Sequence, residues 1–244
     1  MEKYKKSYEI ASFECDEYGT LRLRCLFNLF QDLADTHANI LGVGYNYCKQ
    51  NHIGWVGGAY SVQINKMPIW RDKIVLKTWP SKATAATAIR EFEMINEQTG
   101  SVLVQASSQW VLVDDVKHRP VCVLPHLQHC EPITERCIDT PFTKLPSLER
   151  TDIMIEQTVR FDDIDLNHHV NNSVYPSWVL DALPPDFTMR RKLFSLQIQY
   201  KYPAQKGDRI CVKSQMDENI GLHVITNSSS TLEFARVRTV WQLK

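Results

Sequence analysis

The sequence has no excess of either charge: 28 Lys and Arg balance 28 Asp and Glu over 244 residues. A general nucleic-acid binder is basic overall, so that class is set aside. An acidic partner would have to meet a local basic patch. No window approaches about 18 uninterrupted apolar residues, so no membrane-spanning helix is expected. The first residues, Met1 to Gly19, carry charges but no apolar run, and a secretory signal is not expected either. Seven cysteines stand at 15, 25, 48, 122, 130, 137 and 211. The number is odd and no pair has C-x-x-C spacing, which argues against a disulfide framework or a zinc site and for a reducing compartment. The expected location is the cytoplasm, with no metal.

What is present is a large apolar fraction, 43%, in a chain long enough for two domains of about 100–150 residues. Leu26, Leu29, Phe30, Leu33, His37, Ile40 and Leu41 recur at three- and four-residue steps and predict a helix that Gly42 and Gly44 end. Strands are expected around Tyr60–Ile64, over Lys73–Trp79 and Ala88–Ile95, and over Val102–Val113, where every second residue from Val102 to Leu112 shares a face. The order then repeats. Met154–Phe161 reads as a strand. Val174, Tyr175, Trp178, Val179, Ala182 and Leu183 have helical spacing, with Ser173 as N-cap, Pro176 in the first turn and Pro184–Pro185 as the stop. Leu193–Tyr202, Arg209–Met216, Leu222–Asn227 and Leu232–Leu243 follow as strands.

The halves also match by residue. Asp16 and Asp35 pair with Asp162 and Asp181 at one shift of 146. Ser61-Val-Gln-Ile64 pairs with Ser195-Leu-Gln-Ile198, and Asp72-Lys-Ile74 with Asp208-Arg-Ile210. This points to duplication: a first copy over 1–124, a linker over 125–150 containing Pro125, Pro132, Pro141 and Pro146, and a second copy over 151–244. The fold class is α+β, each copy a long helix wrapped by a curved antiparallel sheet.

The densest polar stretch runs from Asp162 to Asn172, between a strand and a helix start. In an extended chain Asp165, Asn167 and His169 would project to one side, joined by Asp163, and Leu166, His168 and Val170 to the other. A histidine takes a proton from water near neutral pH, an asparagine donates to a carbonyl, and a carboxylate orients its neighbours. The helix start would add free N–H groups for an oxyanion. No cofactor is needed for such hydrolysis. The same residue types also serve as turn and cap chemistry, with Asn171 or Asn172 as the capping residue.

Asp165-Leu-Asn-His-His-Val-Asn-Asn172, followed by Tyr175, Trp178 and Asp181, resembles the D-x-N-x-H-V-N-N segment of the acyl-acyl carrier protein thioesterases of plants and bacteria. The first half resembles them in Gly54-Trp-Val56, Pro68, Asp72, Thr78-Trp79, Arg90-Glu-Phe92, Thr99-Gly100, Ala106-Ser-Ser-Gln-Trp-Val111 and Arg119-Pro120. The resemblance implies a tandem double hotdog fold, release of free fatty acids from acyl carrier protein, and catalysis by Asp165, Asn167 and His169. The family also has a Glu-Cys pair in the stretch after Tyr200, where this sequence has neither. Gln205 there is a candidate to orient a water, and equally an exposed turn residue. Cys211 reads as a buried structural thiol.

The shift of 146 sets Gly19, Leu21 and Leu23 opposite the three catalytic candidates, so the first copy is expected to be non-catalytic and to hold the acyl chain between helix and sheet. Phe27, Phe30, Trp55 and Trp110 are the candidate lining residues, though aromatics at such spacing also build plain core. Acyl carrier proteins are acidic, and Arg190-Arg191-Lys192, read as a loop before the strand at Leu193, is the candidate docking patch or else a solvated charge run. An acyl-coenzyme A hydrolase and a non-catalytic acyl-binding protein of the same fold are the alternatives; the missing Glu-Cys pair favours the last. The sequence leaves monomer and homodimer open.

Overall fold

The computed structural model describes residues 2–139 and 142–244; Pro141, one of the four linker prolines, lies outside them. The chain divides into two units, Met1–Pro141 and Phe142–Lys244, with the division inside the stretch expected as linker.

The first unit consists of β1 (Tyr4–Glu9), α1 (Leu23–Ile40), α2 (Tyr45–Gln50), β2 (Ile53–Ile64), β3 (Lys73–Ala83), β4 (Ala88–Asn96), β5 (Val102–Asp114) and the short β6 (Arg119–Pro120). The strands are antiparallel in the order β1-β3-β4-β5-β2. The apolar stripe of α1 (Leu26, Leu29, Phe30, Leu33 and the buried His37) is what the periodicity predicted, with the helix starting three residues earlier, at Leu23. It lies on the aromatic face of the sheet: Phe30 stacks on Phe92 at 4.8 Å and Phe27 meets Tyr60 at 5.3 Å.

The second unit consists of β7 (Ile153–Thr158), α3 (Val174–Ala182), α4 (Pro185–Arg190), β8 (Arg191–Tyr200), β9 (Arg209–Asp217), β10 (Ile220–Asn227) and β11 (Glu233–Leu243). Its strands run β7-β9-β10-β11-β8, the same order as the first unit. Its helix, however, is not long: α3 has 9 residues where α1 has 18, because the Leu183–Pro184 step is extended. Pro185 does more than stop α3. It opens α4, since a missing N–H costs nothing at a first helical position. The strand expected to reach Phe161 ends at Thr158, and Phe161 lies in a 3-10 turn.

The backbone bonds correct the repeat register. The bridge Cys15↔Leu21 recurs as Ile164↔Val170, a shift of 149 rather than 146. The bonds Asp16 N→Thr20 O and Gly19 N→Asp16 O recur as Asp165 N→His169 O and His168 N→Asp165 O. The counterparts of Asp165, Asn167 and His169 are therefore Asp16, Tyr18 and Thr20, not Gly19, Leu21 and Leu23. At the same shift the buried Leu26, Leu29, Phe30 and Leu33 correspond to Tyr175, Trp178, Val179 and Ala182.

Much of the expected linker is packed. Leu127 packs against the buried cluster of Cys48, Ile53, Leu112 and Val123. Ile133 N bonds Pro80 O, and Trp79 Nε1 donates to Glu135 O at 2.8 Å. The buried Glu91 holds this strap: Ser81 Oγ at 2.7 Å, Arg136 Nε at 2.6 Å, Cys137 N at 3.2 Å and Ser107 Oγ all donate to its carboxylate. Past the division, Leu145 N bonds Gln199 Oε1, and Arg236 donates to Leu145 O. The proline-rich composition concealed these contacts because each is made to a residue distant in sequence.

Two buried histidines set a pH dependence. His223 lies between Ser214 Oγ (2.8 Å) and Thr239 Oγ1 (3.0 Å), and burial pushes it down to about 3. His37 accepts from Arg90 at 3.0 Å; burial, then the neighbouring guanidinium, push it down to about 4. Both are neutral when folded and take up a proton more readily when unfolded, so their stabilisation is complete above pH 6.5 and declines as pH falls toward the folded values. The expected loss between pH 7 and pH 5 is about 2 kcal/mol per histidine. Denaturant midpoints across that range check it: His223→Gln should flatten the slope, and an unchanged slope would contradict the assignment.

Candidate active site

The polar stretch is a turn, not an extended strand. The 3-10 turn Phe161–Asp163 is closed by Arg160 N donating to Asp163 Oδ2 at 3.0 Å. Ile164 and Val170 then pair across a loop in which Asp165 Oδ1 accepts from Asn167 N at 2.8 Å. A carboxylate accepting from the N–H two residues on is an Asx turn, the ordinary use of Asp at a chain reversal. His168 takes φ +62 and Gly19, its counterpart, φ +73; this left-handed conformation closes the loop in both copies. The alternation of an extended strand is therefore absent; the turn links the three residues through Asn167 N on Asp165 Oδ1 and Asp165 N on His169 O. Asp165 and His169 are half-buried and Asn167 is exposed.

The first unit repeats the turn with different equipment. Asp16 Oδ1 accepts from Tyr18 N at 3.0 Å and Thr20 N at 2.9 Å. The carboxylate recurs because the turn needs it. The amide and the imidazole do not recur. Among the described residues the side chains of Asn167 and His169 have no hydrogen-bond partner, so both are available to a ligand.

Asn171 caps α3: its Oδ1 accepts from Ser173 N at 2.8 Å and its carbonyl from Val174 N at 3.0 Å. Ser173, the expected cap, makes no side-chain cap bond, and its buried hydroxyl has no partner among the described residues. Two N–H groups at the helix start, those of Ser173 and Val174, are thus occupied by Asn171. Gln205 lies beside the turn through its backbone: Val170 N bonds Ala204 O at 2.9 Å. Its own N–H donates to Asp208 Oδ2, as Ile69 does to Asp72 in the first unit. Cys211 is buried and its thiol pushed up by burial, which disfavours the nucleophilic thiolate.

The other candidates lie elsewhere. Phe27 and Phe30 are sealed in the core. Trp55 and Trp110 are half-buried, with their indole N–H groups on Val43 O and Ser108 Oγ. Arg190–Lys192 is not a loop: Arg190 ends α4, and Arg191 and Lys192 open β8. Arg191 covers the Phe187 ring and donates to Asn219. Tyr200, whose hydroxyl bonds Asn172 O beside the turn, is at the other end of β8, about 30 Å away at the usual strand rise. A cleft of about 380 Å³ near Asp152, Leu183, Phe187 and Met216 contains none of the candidates. Among the described residues no group of three or more His, Cys, Asp or Glu is placed to hold a metal, and no helix is long and apolar enough to cross a membrane.

Comparison with known proteins finds matches to both units of the chain. Residues 1–130 match the acyl-ACP thioesterase N-terminal domain and residues 147–243 the acyl-ACP thioesterase C-terminal domain. A chloroplastic palmitoyl-acyl carrier protein thioesterase of Cuphea hookeriana is 28% identical over 218 residues, 81% of this chain and 51% of that protein. The chain thus spans about half the length of the curated relatives it matches first. The 12:0-ACP thioesterase from Umbellularia californica superposes with a TM-score of 0.89 at 21% identity, over 99% of this chain and 98% of that one. An acyl-ACP thioesterase from Bacteroides thetaiotaomicron gives 0.84 at 20%, over 98% of each. With both domain models matched in order across two units of the same topology, the chain belongs to the acyl-ACP thioesterase family.

Proposed function

We propose that the chain hydrolyses the thioester of acyl-loaded acyl carrier protein and releases free fatty acid, using one turn in the second unit. The supporting observation is that the Asx turn occurs in both units but, among the described residues, carries an unpartnered amide and imidazole in only one. His169 takes a proton from water as the water oxygen attacks the thioester carbonyl carbon. The Asn167 amide N–H donates to the oxyanion. Collapse expels the thiolate, which recovers the proton from the imidazolium; the products are free acid and free thiol. Asp165 shapes the turn rather than exchanging protons, since Asp16 does the same where no base is present.

Both units are read as hotdog folds, the first non-catalytic, with the half-buried Trp55 and Trp110 as its candidates for acyl contact. Arg190 and Lys192 would steer an acidic carrier by long-range attraction, not grip it at the turn. The same turn would serve a coenzyme A thioester; family membership favours the carrier protein.

Asn167→Ala is expected to lower kcat about 10²–10³-fold, the cost of one oxyanion donor, with no acyl adduct on the protein during turnover. Steady-state kinetics and intact-protein mass spectrometry check this. A stable adduct, on Cys211 for example, would contradict direct attack by water.

A further inference from the structure

Two hydrogen bonds in the second unit, one buried and one partly buried, have no counterpart among the described residues of the first. Tyr175 Oη, on the first turn of α3, accepts from Ala204 N at 2.9 Å. Tyr200 Oη, at the end of β8, donates to Asn172 O at 2.8 Å. Tyr175 is 2% exposed and meets Tyr200 edge-on at 5.5 Å. Ala204 is therefore held from both sides: its N–H by Tyr175 and its carbonyl by Val170 N, the residue after His169.

In the first unit the corresponding carbonyl bond is Leu21 N→Pro68 O, also 2.9 Å. Pro68 stands where Ala204 stands and has no N–H to offer. Leu26 stands where Tyr175 stands and has no hydroxyl. Donor and acceptor are both absent from the copy whose turn has Tyr18 and Thr20, and both present in the copy whose turn has Asn167 and His169. The residue after this clamp differs in the same sense: Ile69 in the first unit, Gln205 in the second, on the same backbone turn.

We infer, on the functional reading above, that Tyr175 is a positioning residue: its hydroxyl fixes the Ala204–Gln205 backbone against the His169 turn, so that the Gln205 amide holds the attacking water beside the imidazole. An amide can accept from that water and donate to it, but cannot take its proton, which leaves His169 as the base. Burial pushes the Tyr175 hydroxyl up to about 12, so the clamp keeps one protonation state across the working range. The position after Tyr200, which lacks the family's Glu-Cys pair, thus keeps a part in the reaction through Gln205.

The test is a kinetic cycle on the full chain, with kcat, KM and melting temperature measured for each protein. Tyr175→Phe should lower kcat about 5–10-fold, the worth of one hydrogen bond, with KM little changed. Gln205→Ala should cost a similar factor, and Tyr175→Phe added to Gln205→Ala nearly nothing more. A purely structural tyrosine would only satisfy the buried Ala204 N–H. The pair Tyr175→Leu with Ala204→Pro, which installs the first unit's residues, would then restore kcat together with melting temperature. The inference expects that pair to recover stability and leave kcat low. Equal losses from Tyr175→Phe with and without Gln205, or kcat restored by the Leu/Pro pair, would overturn it. A wild-type chain that releases no thiol would overturn the functional reading itself and this inference with it, and that result is seen before any variant is made.

Discussion

His169→Ala is expected to lower kcat/KM for thioester hydrolysis about 10²–10⁴-fold, the usual cost of losing a general base, while the melting temperature stays near the wild-type value. The separation of the two effects follows from the geometry. His169 is half-buried, and among the described residues its ring holds nothing in place, so its removal breaks no internal bond. The turn survives through Asp165 Oδ1 and the Asp165 N→His169 O backbone bond, which no side-chain change at 169 removes. The neighbouring His168 supplies the control. It is exposed and left-handed, and His168→Gly gives the position the residue its counterpart Gly19 already has; activity should be retained. Near-wild-type turnover by folded His169→Ala protein would place the base elsewhere.

Glu91→Ala should have the largest effect on stability. The carboxylate is fully buried and gathers four donors from β3, β5 and the 136–137 strap. Truncation leaves the Arg136 charge without its partner and the hydroxyls and N–H without an acceptor. Arg136 is itself 26% exposed, so water relieves part of the cost, and the expected loss is about 3 kcal/mol. At about 2–4 °C per kcal/mol for a chain of this size, the melting temperature should fall by about 6–12 °C. Below that transition kcat should be unchanged, because Glu91 touches no candidate catalytic residue. An unaltered melting temperature would mean the strap is held by other contacts.

The difference between these two residues shows what was legible in the sequence. The α1 stripe and the alternation of β5 could be read because burial on one face imposes a period, and apolar side chains record it. β1 could not be read: Tyr4–Glu9 is an edge strand with Lys5 and Lys6 exposed, and charge on an edge erases alternation. The 146 register came from matching aspartates by identity, whereas backbone bonds define equivalent positions; the pairing of Asp16 with Asp165 follows only once both are seen to accept from the N–H two residues on. Asp-x-Asn and Asp-x-Tyr carry that signal, since Asp at a chain reversal favours an Asx turn. Glu91 was visible only as part of the Arg90-Glu-Phe92 segment; its role as an acceptor was not, because its partners Arg136 and Cys137 come from a stretch with no periodicity. The catalytic candidates were legible as a motif; their geometry was not, because alternation is a property of strands and this segment is a loop.

The central claim is that this chain cleaves the thioester and does not only hold the acyl chain. Its most direct test is free-thiol release by the wild-type protein from a panel of acyl carrier protein and coenzyme A thioesters, with the free acid quantified in the same reactions. The account predicts catalytic turnover, one acid per thiol, with higher kcat/KM on carrier-protein substrates. Saturable binding of acyl carrier protein thioesters with no thiol released above the uncatalysed rate would contradict it and leave an acyl-binding protein in its place.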